Sequence, residues 1–477
     1  MQTTPIRVGG DASVPKAQHT FYIWAIALVA AMGGLLFGYD WVVIGGARQF
    51  YEAYFQLTSA QLIGWANSCA LVGCFLGSLL AGYAGDRFGR KKVLLVAAIL
   101  FAVSSGLTGW AYSFTAFICW RIAGGIAIGL ASNISPLYIA EISPAPIRGR
   151  LVSLNQFAIV VGILLAQVAN WQIARPIPDH ISHLAFLQTW NVQYGWRWMF
   201  CAVVVLAVLF TVMSLFIPES PRWLLTKGQD DSAHSVLSRV GGPAYALSEV
   251  TSIKKTLQLE AGMKASWRDL RMPGVRKILM IGVALAVLQQ WTGINILFNY
   301  AAEVYRSAGY GENDILWNIV ITGAINLVFT IFAMLIVDRV GRRLMMLFGC
   351  IGIGVSHILS GMAYRGGWHS STVLVLTLSA IACYALTLAP VTWVLISEIF
   401  PNRVRSQAVS VAVSALWIAS FALTYTFPMI NQALGSSGTF LGYGTICMIG
   451  AAFVFAFVPE TKGRTLEEIE AGVLSAK

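Results

Sequence analysis

Twelve long apolar runs, separated by short polar connections, make up most of this 477-residue chain. An α-helix needs roughly 20 apolar residues to cross a bilayer, so each run can span a membrane once. Charged residues are 11% of the chain, against about 25% in soluble domains. We therefore predict an all-α membrane protein. Its twelve transmembrane helices are expected at 21–44, 62–84, 92–112, 116–140, 151–173, 197–217, 275–303, 315–337, 344–364, 372–397, 406–430 and 439–458.

The connection 218–274 is much longer than the others and divides the spans into two sets of six. It is polar and charged, and its apolar residues recur at helical spacing, which indicates short amphipathic helices. We expect two pseudo-symmetric six-helix bundles with an intracellular helical segment between them. The expected divisions are a cytoplasmic tail 1–20, a first bundle 21–217, the linker 218–274, a second bundle 275–458 and a cytoplasmic segment 459–477.

Three short charged motifs occur once in each half of the chain. Asp-Arg-Phe-Gly-Arg-Lys at 86–91 matches Asp-Arg-Val-Gly-Arg-Arg at 338–343, and each lies between two apolar runs. A Glu followed seven residues later by an Arg also recurs, and a Pro-Glu pair ends each half. Three matches in one order, at nearly one offset, indicate an internal duplication with parallel topology. Such repeats are related by an axis along the membrane normal, with the substrate site between them.

Lys and Arg are concentrated in the even-numbered connections and are few in the odd-numbered ones. Basic residues favour the cytoplasmic side of a membrane, so we expect the even connections and both termini in the cytoplasm. The same bias explains the formal net charge of +11, and we expect no nucleic-acid partner.

Acidic residues recur in these connections together with the basic ones. Topology requires only the bases, so the acids suggest ion pairs at span ends, where the dielectric is lowered. We predict that the charges latch the two halves when the cytoplasmic side is closed; the alternative is that they only enforce topology. The candidates are Asp86, Arg90, Glu141, Arg148, Glu219 and Arg222 in the first half and Asp338, Arg342, Glu398, Arg405 and Glu460 in the second.

Two charged residues fall inside predicted spans, Asp40 in span 1 and Arg121 in span 4. A charge at the bilayer centre costs about 2.5–3.5 kcal/mol or more, so each indicates a functional site. If span 1 ends near Ile44 and span 4 begins near Ala116, the two lie about 6 and 8 Å below one face and can pair. Because a nearby guanidinium favours an ionised carboxyl, breaking the pair would couple proton binding to a conformational change. The alternative is a static ion pair.

The chain resembles the sugar porter family of the major facilitator superfamily from Gly33 to Ile469. The resemblance is nearest to the bacterial proton–xylose symporters, with facilitative glucose carriers further off. It implies a twelve-helix bundle, alternating access and monosaccharide transport. The motifs that carry it are the two Asp-Arg-x-Gly-Arg segments, Pro-Glu-Ser-Pro-Arg-Trp-Leu at 218–224, Gln-Gln-x-x-Gly-Ile-Asn at 289–295 and Pro-Glu-Thr-Lys-Gly at 459–463.

The resemblance also bears on proton coupling. Proton-coupled members of the family have Asp and Arg at the positions of Asp40 and Arg121, whereas facilitators of the mammalian type lack that Asp. The resemblance therefore implies symport. Val203 stands where the xylose symporters have a further Glu, so that additional acid is missing here.

A set of sugar-binding residues is implied as well. A neutral sugar has many hydroxyls and one apolar face, so its site needs amides, which donate and accept hydrogen bonds, and an aromatic platform. For any one residue the alternative is polar packing between helices. The set is Phe37, Gln156, Gln289, Gln290, Asn295, Asn299, Tyr300, Asn326, Tyr384, Trp393 and Trp417.

Several positions depart from the family pattern. Ile163 stands where the xylose symporters have a second Gln on span 5, and Asn299 replaces the first of two tyrosines. Ala389 replaces a Gly before a proline, and Leu416 replaces a Gln or Asn. Because these changes alter which hydroxyls can be read, the identity of the sugar does not transfer from the family.

We therefore expect a proton-coupled monosaccharide symporter of a bacterial inner membrane, a monomer in the lipid bilayer whose partners are a small neutral sugar and a proton. Three rivals are a facilitative uniporter, a polyol- or inositol-type symporter and a non-transporting sugar sensor. Such sensors usually carry longer cytoplasmic tails. The sequence contains no nucleophile–base set, metal cluster or nucleotide loop, so we expect no enzyme activity, cofactor or metal.

Overall fold

The structure, a computed structural model, describes residues 17–178, 182–262, 267–400 and 404–460. Over these residues the chain forms helices and no strands, and eleven helices are long and apolar enough to cross a bilayer. The last, Arg405–Phe457, would be about 80 Å long if straight, far more than the roughly 30 Å core of a bilayer. Its backbone breaks at Gly435 (φ 65°, ψ 172°), so it contains spans 11 and 12. The predicted fold of twelve spans is confirmed.

The bounds of the spans follow the predicted apolar runs. In the first half they are Ala17–Tyr54, Ala60–Phe88, Arg90–Gly109, Phe114–Ile142, Arg148–Ile173 and Trp196–Phe216, the last preceded by His183–Leu187 and the π-helical turn Asn191–Gly195. In the second half, span 7 has three pieces, Pro273–Trp291, Ile294–Asn299 and Ala301–Ser307. Spans 8 to 10 are Glu312–Val340, Arg342–Gly366 and the pair Ser370–Leu386 and Leu388–Glu398.

The connection between the halves is helical, as its residue spacing predicts. Ala233, Leu237 and Val240 are buried and lie along one face of its second helix. This helix is therefore amphipathic and packs by its apolar face. The helices of the connection are Pro221–Thr226, Asp230–Gly241, Pro243–Gly262 and the 3-10 turn Trp267–Arg271.

Span 1 continues well beyond its predicted end at Ile44, to Tyr54. The Gly45-Gly46 pair, which is typical of a helix end, is here a packing surface. A Cβ at Gly45 would overlap the carbonyl oxygen of Phe298 in span 7, and one at Gly46 would overlap a side chain of span 5. Small residues allow such close approach of helices in membranes. The prediction of an early end was therefore wrong.

The helix ends define two faces of the molecule. One of them, which we call the basic face, is where span 2 meets span 3 beside Arg90 and where span 8 meets span 9 beside Arg342. The distal face is the opposite one, at which span 1 ends with Tyr54. These names carry no assignment to a side of the membrane.

Three contacts close the two halves against each other toward the distal face. They join spans 1 and 7, spans 2 and 11, and spans 5 and 8. Their residues are Gly45 with the Phe298 carbonyl, Gly64 with the Tyr425 carbonyl, and Trp171 with Trp317, whose ring centroids are 5.0 Å apart. Two of these contacts place backbone directly against backbone, so the distal side is shut tightly.

Spans 7 and 10 are interrupted within the membrane. Gly293 has φ 81°, a left-handed conformation that favours glycine, and it separates the first two pieces of span 7. Thr387 (φ −126°, ψ −82°) separates the two pieces of span 10, and Pro390 then lies in the first turn of the new helix, where its missing N–H costs little. Breaks of this kind free backbone groups that side chains or ligands can bind.

A glutamate caps the first turn of span 3, and another caps span 9. The carboxylate of Glu219 accepts hydrogen bonds from the backbone N–H groups of Arg90 (2.8 Å) and Lys91 (3.1 Å). Glu460 does the same for Arg342 (3.0 Å) and the residue after it (3.1 Å). A negative charge is favourable at a helix N-terminus. The repeated motifs therefore encode a repeated capping arrangement.

The glycine in each motif is required by this cap. Gly89 has φ 96° and Gly341 has φ 104°, a region that L side chains rarely adopt. A Cβ at Gly89 would also overlap a carboxylate oxygen of Glu219. The conformation and the close carboxylate both exclude a larger residue.

We expect Gly89→Ala to destabilise the protein by about 1–3 kcal/mol, because it strains the backbone and displaces the capping carboxylate. Thermal unfolding in detergent measures the change. Gly82→Ala is the matched control, since a Cβ there meets nothing within 4 Å inside span 2. Equal melting temperatures for the two variants would contradict this reading of the motif.

Candidate functional site

Asp40 of span 1 and Arg121 of span 4 form a buried ion pair. Nη1 of Arg121 donates to both carboxylate oxygens of Asp40, at 2.9 and 2.8 Å. The two residues are 2% and 4% exposed. The guanidinium also lies 5.3 Å from the ring centroid of Phe200 in span 6. The predicted pairing is therefore present, and it lies wholly within the first half.

The distance of Asp40 from the end of its helix differs from the prediction, whereas that of Arg121 is close to it. Because span 1 ends at Tyr54 rather than Ile44, Asp40 lies about 21 Å along the helix from its distal end, while Arg121 lies about 10 Å from the start of span 4 at Phe114. In a buried position within the membrane, a charge without a partner would be costly. The Nε atom of Arg121 is buried and has no hydrogen-bond partner among the described residues. One nitrogen of the guanidinium thus remains available for a rearranged contact.

Amide side chains of span 7 form a hydrogen-bonded row, which we call the amide row: Gln289, Gln290 and Asn295. Nε2 of Gln290 donates to Oε1 of Gln289 at 3.2 Å, and Nδ2 of Asn295 donates to Oε1 of Gln290. Asn295 also reaches Oγ of Ser420 on span 11, at 3.5 Å. All three amides are at most 7% exposed. The break at Gly293 lies between them, so it sets their relative direction.

Two predicted sugar residues hold buried polar atoms without a partner. Oδ1 of Asn299 and Nε1 of Trp417 have no hydrogen-bond partner among the described residues, although both residues are 3% exposed. Buried polar groups are nearly always paired, so such atoms are candidates for binding a ligand hydroxyl. Tyr300 is instead satisfied, since its hydroxyl donates to the carbonyl of Thr424 at 2.7 Å.

Three rings meet between the halves, and we call them the aromatic triangle: Phe37 and Trp41 of span 1 and Trp417 of span 11. The ring centroids are 5.8 Å apart for Phe37 and Trp41, 6.2 Å for Phe37 and Trp417, and 6.1 Å for Trp41 and Trp417. The triangle joins the first half to the second. Sequence analysis selected two of its members and missed Trp41, because an aromatic residue in an apolar run gives no polar signal.

The other predicted sugar residues differ widely in burial. Gln156 and Tyr384 are partly buried, and Asn326 is 4% exposed. Trp393 is 41% exposed, which is high for a residue expected to lie against a bound sugar. Among the described residues, no hydrogen bond or ring contact joins these four to the amide row.

A histidine supports the break in span 7. His357 of span 9 is 1% exposed, and its Nε2 lies 2.9 Å from the carbonyl oxygen of Thr292, directly before Gly293. A carbonyl oxygen only accepts, so Nε2 carries the proton and donates. The carbonyl freed by the break is thereby satisfied. Sequence analysis did not single out His357, although a polar residue inside an apolar run was the available signal.

A charged cluster lies at the distal end of spans 1 and 7. Arg48 is 6% exposed; its Nη2 lies 3.5 Å from Glu303 of span 7, and its Nε donates to Glu52, one turn along span 1. The guanidinium also lies 4.4 Å from the ring centroid of Tyr300. Arg48 falls outside the predicted span 1, 21–44, and would have been assigned to the first connection.

A second polar link crosses the halves beside this cluster. Arg306 donates to the amide oxygen of Gln49 and pairs with Glu312 at 2.9 Å. These residues line a cavity of about 970 Å³ on the distal side of the closure. Spans 1 and 7 are thus held together by charge as well as by close packing.

The candidate latch residues of the basic face make contacts inside their own halves. Arg90 pairs with Glu141 at 2.9 Å and with Asp86 at 3.1 Å. Arg148 donates to the carbonyl of Ser143, and the matching Arg405 donates to the carbonyl of Phe400. The repeated charges therefore brace each half.

A latch between the halves stays a prediction. The side chains of Asp338 and Glu398 lie outside the described residues. Arg222 and Arg342 take part in further interactions.

A solved structure of the xylose transporter of Escherichia coli, described as a partially occluded inward-open conformation, has the same fold. Its TM-score is 0.82 at 36% sequence identity, and the match covers 93% of this chain and 100% of that one. The likeness confirms an arrangement of two six-helix halves, as predicted from the internal repeat.

Curated relatives agree with the structural match. The D-xylose-proton symporter of Escherichia coli is 38% identical over 94% of this chain and 95% of its own length. The arabinose-proton symporter of Bacillus subtilis is 35% identical over 98% of this chain and 99% of its own length. The model of the sugar (and other) transporter family matches residues 26–472. The chain is thus a multi-pass membrane transporter, not an enzyme, and belongs to the sugar (and other) transporter family.

Proposed function

We propose that this protein is a proton-coupled monosaccharide symporter that works by alternating access. The observation that carries the proposal is the ion pair of Asp40 with Arg121, buried within the first half, in a chain whose second half holds a buried row of amides. The relatives named for xylose–proton and arabinose–proton symport support it. A bacterial inner membrane is the location that these relatives suggest.

Asp40 is the proposed proton carrier. When the carboxylate is ionised, it neutralises Arg121 and holds span 1 to span 4. A proton on Asp40 removes this attraction and leaves Arg121 buried without a counterion, which is costly in a membrane. The first half must then rearrange to give Arg121 another partner. A proton moving through a potential of 100 mV supplies about 2.3 kcal/mol, enough for a several-tens-fold sugar gradient.

The sugar is proposed to bind between the halves, on the amide row and against the aromatic triangle. Amides donate and accept, so they can read hydroxyl groups in either sense. Asn299 and Trp417 add one unpaired acceptor and one unpaired donor. The aromatic faces suit the apolar face of a sugar ring.

The basic face is proposed to be cytoplasmic, because Lys and Arg favour that side. An even number of spans then places both termini in the cytoplasm. With the distal side shut, the proposed sugar site is then closed to the outside. The match to a xylose transporter described as inward-open supports this assignment.

Three alternative functions predict different transport behaviour from this proposal. A facilitative uniporter would equilibrate sugar without a proton gradient, and a polyol-type symporter would prefer inositol or open-chain polyols over rings with an anomeric carbon. A sensor would bind sugar without moving it. A competition panel of pentoses, hexoses and polyols in proteoliposomes, with and without a pH gradient, separates all four.

We expect Asp40→Asn to abolish proton-driven sugar accumulation and to leave counterflow, which needs no proton, largely intact. The amide is nearly isosteric with the carboxyl group but cannot take up the proton. Uptake in proteoliposomes with an imposed pH gradient, compared with counterflow in the same vesicles, measures the split. Asp230→Asn, which removes a carboxylate from an exposed pair with Lys254, is the control. Undiminished accumulation in Asp40→Asn would remove Asp40 as the proton site.

We expect Glu303→Gln to favour opening of the distal side, because it takes one counterion from the buried Arg48. Glu303 is one-third exposed, so the pair contributes about 1 kcal/mol or less, which shifts the population about two- to fivefold. Hydrogen exchange at the distal ends of spans 1 and 7 should rise. Asp230→Asn, which breaks an exposed pair with Lys254 in the connection between the halves, should leave exchange in span 1 unchanged. An equal rise in both variants would argue against a specific role of the Arg48–Glu303 pair in the distal closure.

We expect His357→Leu to weaken sugar binding about fivefold or more, because the Thr292 carbonyl then keeps only the weak thiol donor of Cys447, at 3.7 Å, and the break that orients the amide row is disturbed. His357→Gln keeps a donor and should recover much of the affinity. Sugar KM and maximal rate are measured by counterflow. Ser356→Ala, which removes only a bond within span 9, is the control. A fall in maximal rate with unchanged KM would point to a purely structural role.

A further inference from the structure

We propose that Trp41 is a specificity-determining residue: its indole roofs the sugar site on the distal side and limits the size of the substituents on the sugar ring. The inference rests on the proposed function and goes beyond it by naming the chain's own steric filter. Trp41 is not among the residues that the family resemblance selected. Its position in the structure carries the argument.

The first step is that Trp41 faces the space between the halves. Its ring contacts Trp417 of the opposite half, with centroids 6.1 Å apart, and stands edge-on to Phe37 one turn before it. Trp41 is only partly buried. The ring is held between span 1 and span 11, so it lies at the interface of the two halves.

The second step is that Trp41 lies directly beneath the distal closure. Gly45 is one helical turn further along span 1, where it contacts the carbonyl of Phe298. The next residue of span 7 is Asn299, whose Oδ1 is buried and unpaired. No larger residue fits at Gly45, so Trp41 is the first side chain of this face of span 1 on the inner side of the contact.

The third step links the ring to the amides. Trp417 and Ser420 lie three residues apart on span 11, on one face of the helix. Ser420 is hydrogen-bonded to Asn295 of the amide row at 3.5 Å. The aromatic triangle and the amide row therefore border the same space. Trp41 bounds that space from above, and the amides bound it from the side.

Steric fit should contribute strongly to the selection of substrates at this site. Leu416 and Ile163 are apolar and buried, so neither position reads a hydroxyl group. A rigid indole in a closed site excludes groups by size, and one extra or missing methylene in such a site changes selectivity by about 10- to 200-fold. Trp41 should therefore discriminate between a pentopyranose and a hexopyranose, because the hexopyranose carries an additional hydroxymethyl group.

The test compares D-xylose with D-glucose in counterflow by proteoliposomes of the wild type, Trp41→Phe and Trp41→Ala. We expect the ratio of KM for glucose to KM for xylose to fall about tenfold in Trp41→Ala, with Trp41→Phe between the two. Trp65→Ala is the matched control, because Trp65 also crosses the halves onto span 11, against Phe421 at 6.2 Å, but lies outside the aromatic triangle. It should change the maximal rate at most.

The outcomes are distinct. A ratio within about twofold of the wild type in both Trp41 variants, or an equal change in Trp65→Ala, would overturn the inference while leaving sugar transport in place. If Trp41→Ala does not fold, the graded shift in Trp41→Phe decides the question. A folded wild-type protein that transports no pentose or hexose of the competition panel would overturn the proposed function, and the inference with it.

Discussion

The ion pair between Asp40 and Arg121 is the interaction on which the first half depends. It joins spans 1 and 4 at a depth where neither charge is tolerable alone. Span 1 also supplies two rings of the aromatic triangle, Gly45 of the distal closure and Arg48. One helix therefore connects the proposed proton site, the proposed sugar site and the distal contact. A change in the charge of Asp40 acts on the same rigid element that touches the other two.

The two halves repeat their scaffolds and differ in their chemistry. The capping glutamates Glu219 and Glu460 make equivalent bonds, and Arg148 and Arg405 brace equivalent turns. The buried ion pair belongs to the first half, whereas the amide row and the broken spans 7 and 10 belong to the second. Duplication thus supplied two similar scaffolds. The proposed proton site uses groups of the first half, whereas the proposed sugar site combines the amide row of the second half with aromatic rings from both halves.

The number of spans, the two halves and the pairing of Asp40 with Arg121 could be predicted because each has a strong physical signal. Apolar length defines a span, and a charge inside a span demands a partner. The length of span 1 could not be predicted, since Gly45-Gly46 reads as a helix end until its neighbours in space are known. Arg48 was misplaced for that reason, and Trp41 was hidden because aromatic rings are common in any apolar run. The exposure of Trp393 depends on the packing of span 10 around its break at Thr387, which no local pattern encodes.

The sharp reversal at Gly435 has a mechanical consequence. Helical residues extend to either side of the break at Gly435, so spans 11 and 12 form a hairpin whose arms are joined by a short turn. Trp417 is on one arm; Tyr443, on the other, presses so closely on Gly293 that a Cβ there would lie 2.8 Å from its ring. A tilt of the first arm is therefore shared by the second. Movement of the hairpin therefore reaches both the indole of Trp417 and the break of span 7 at Gly293.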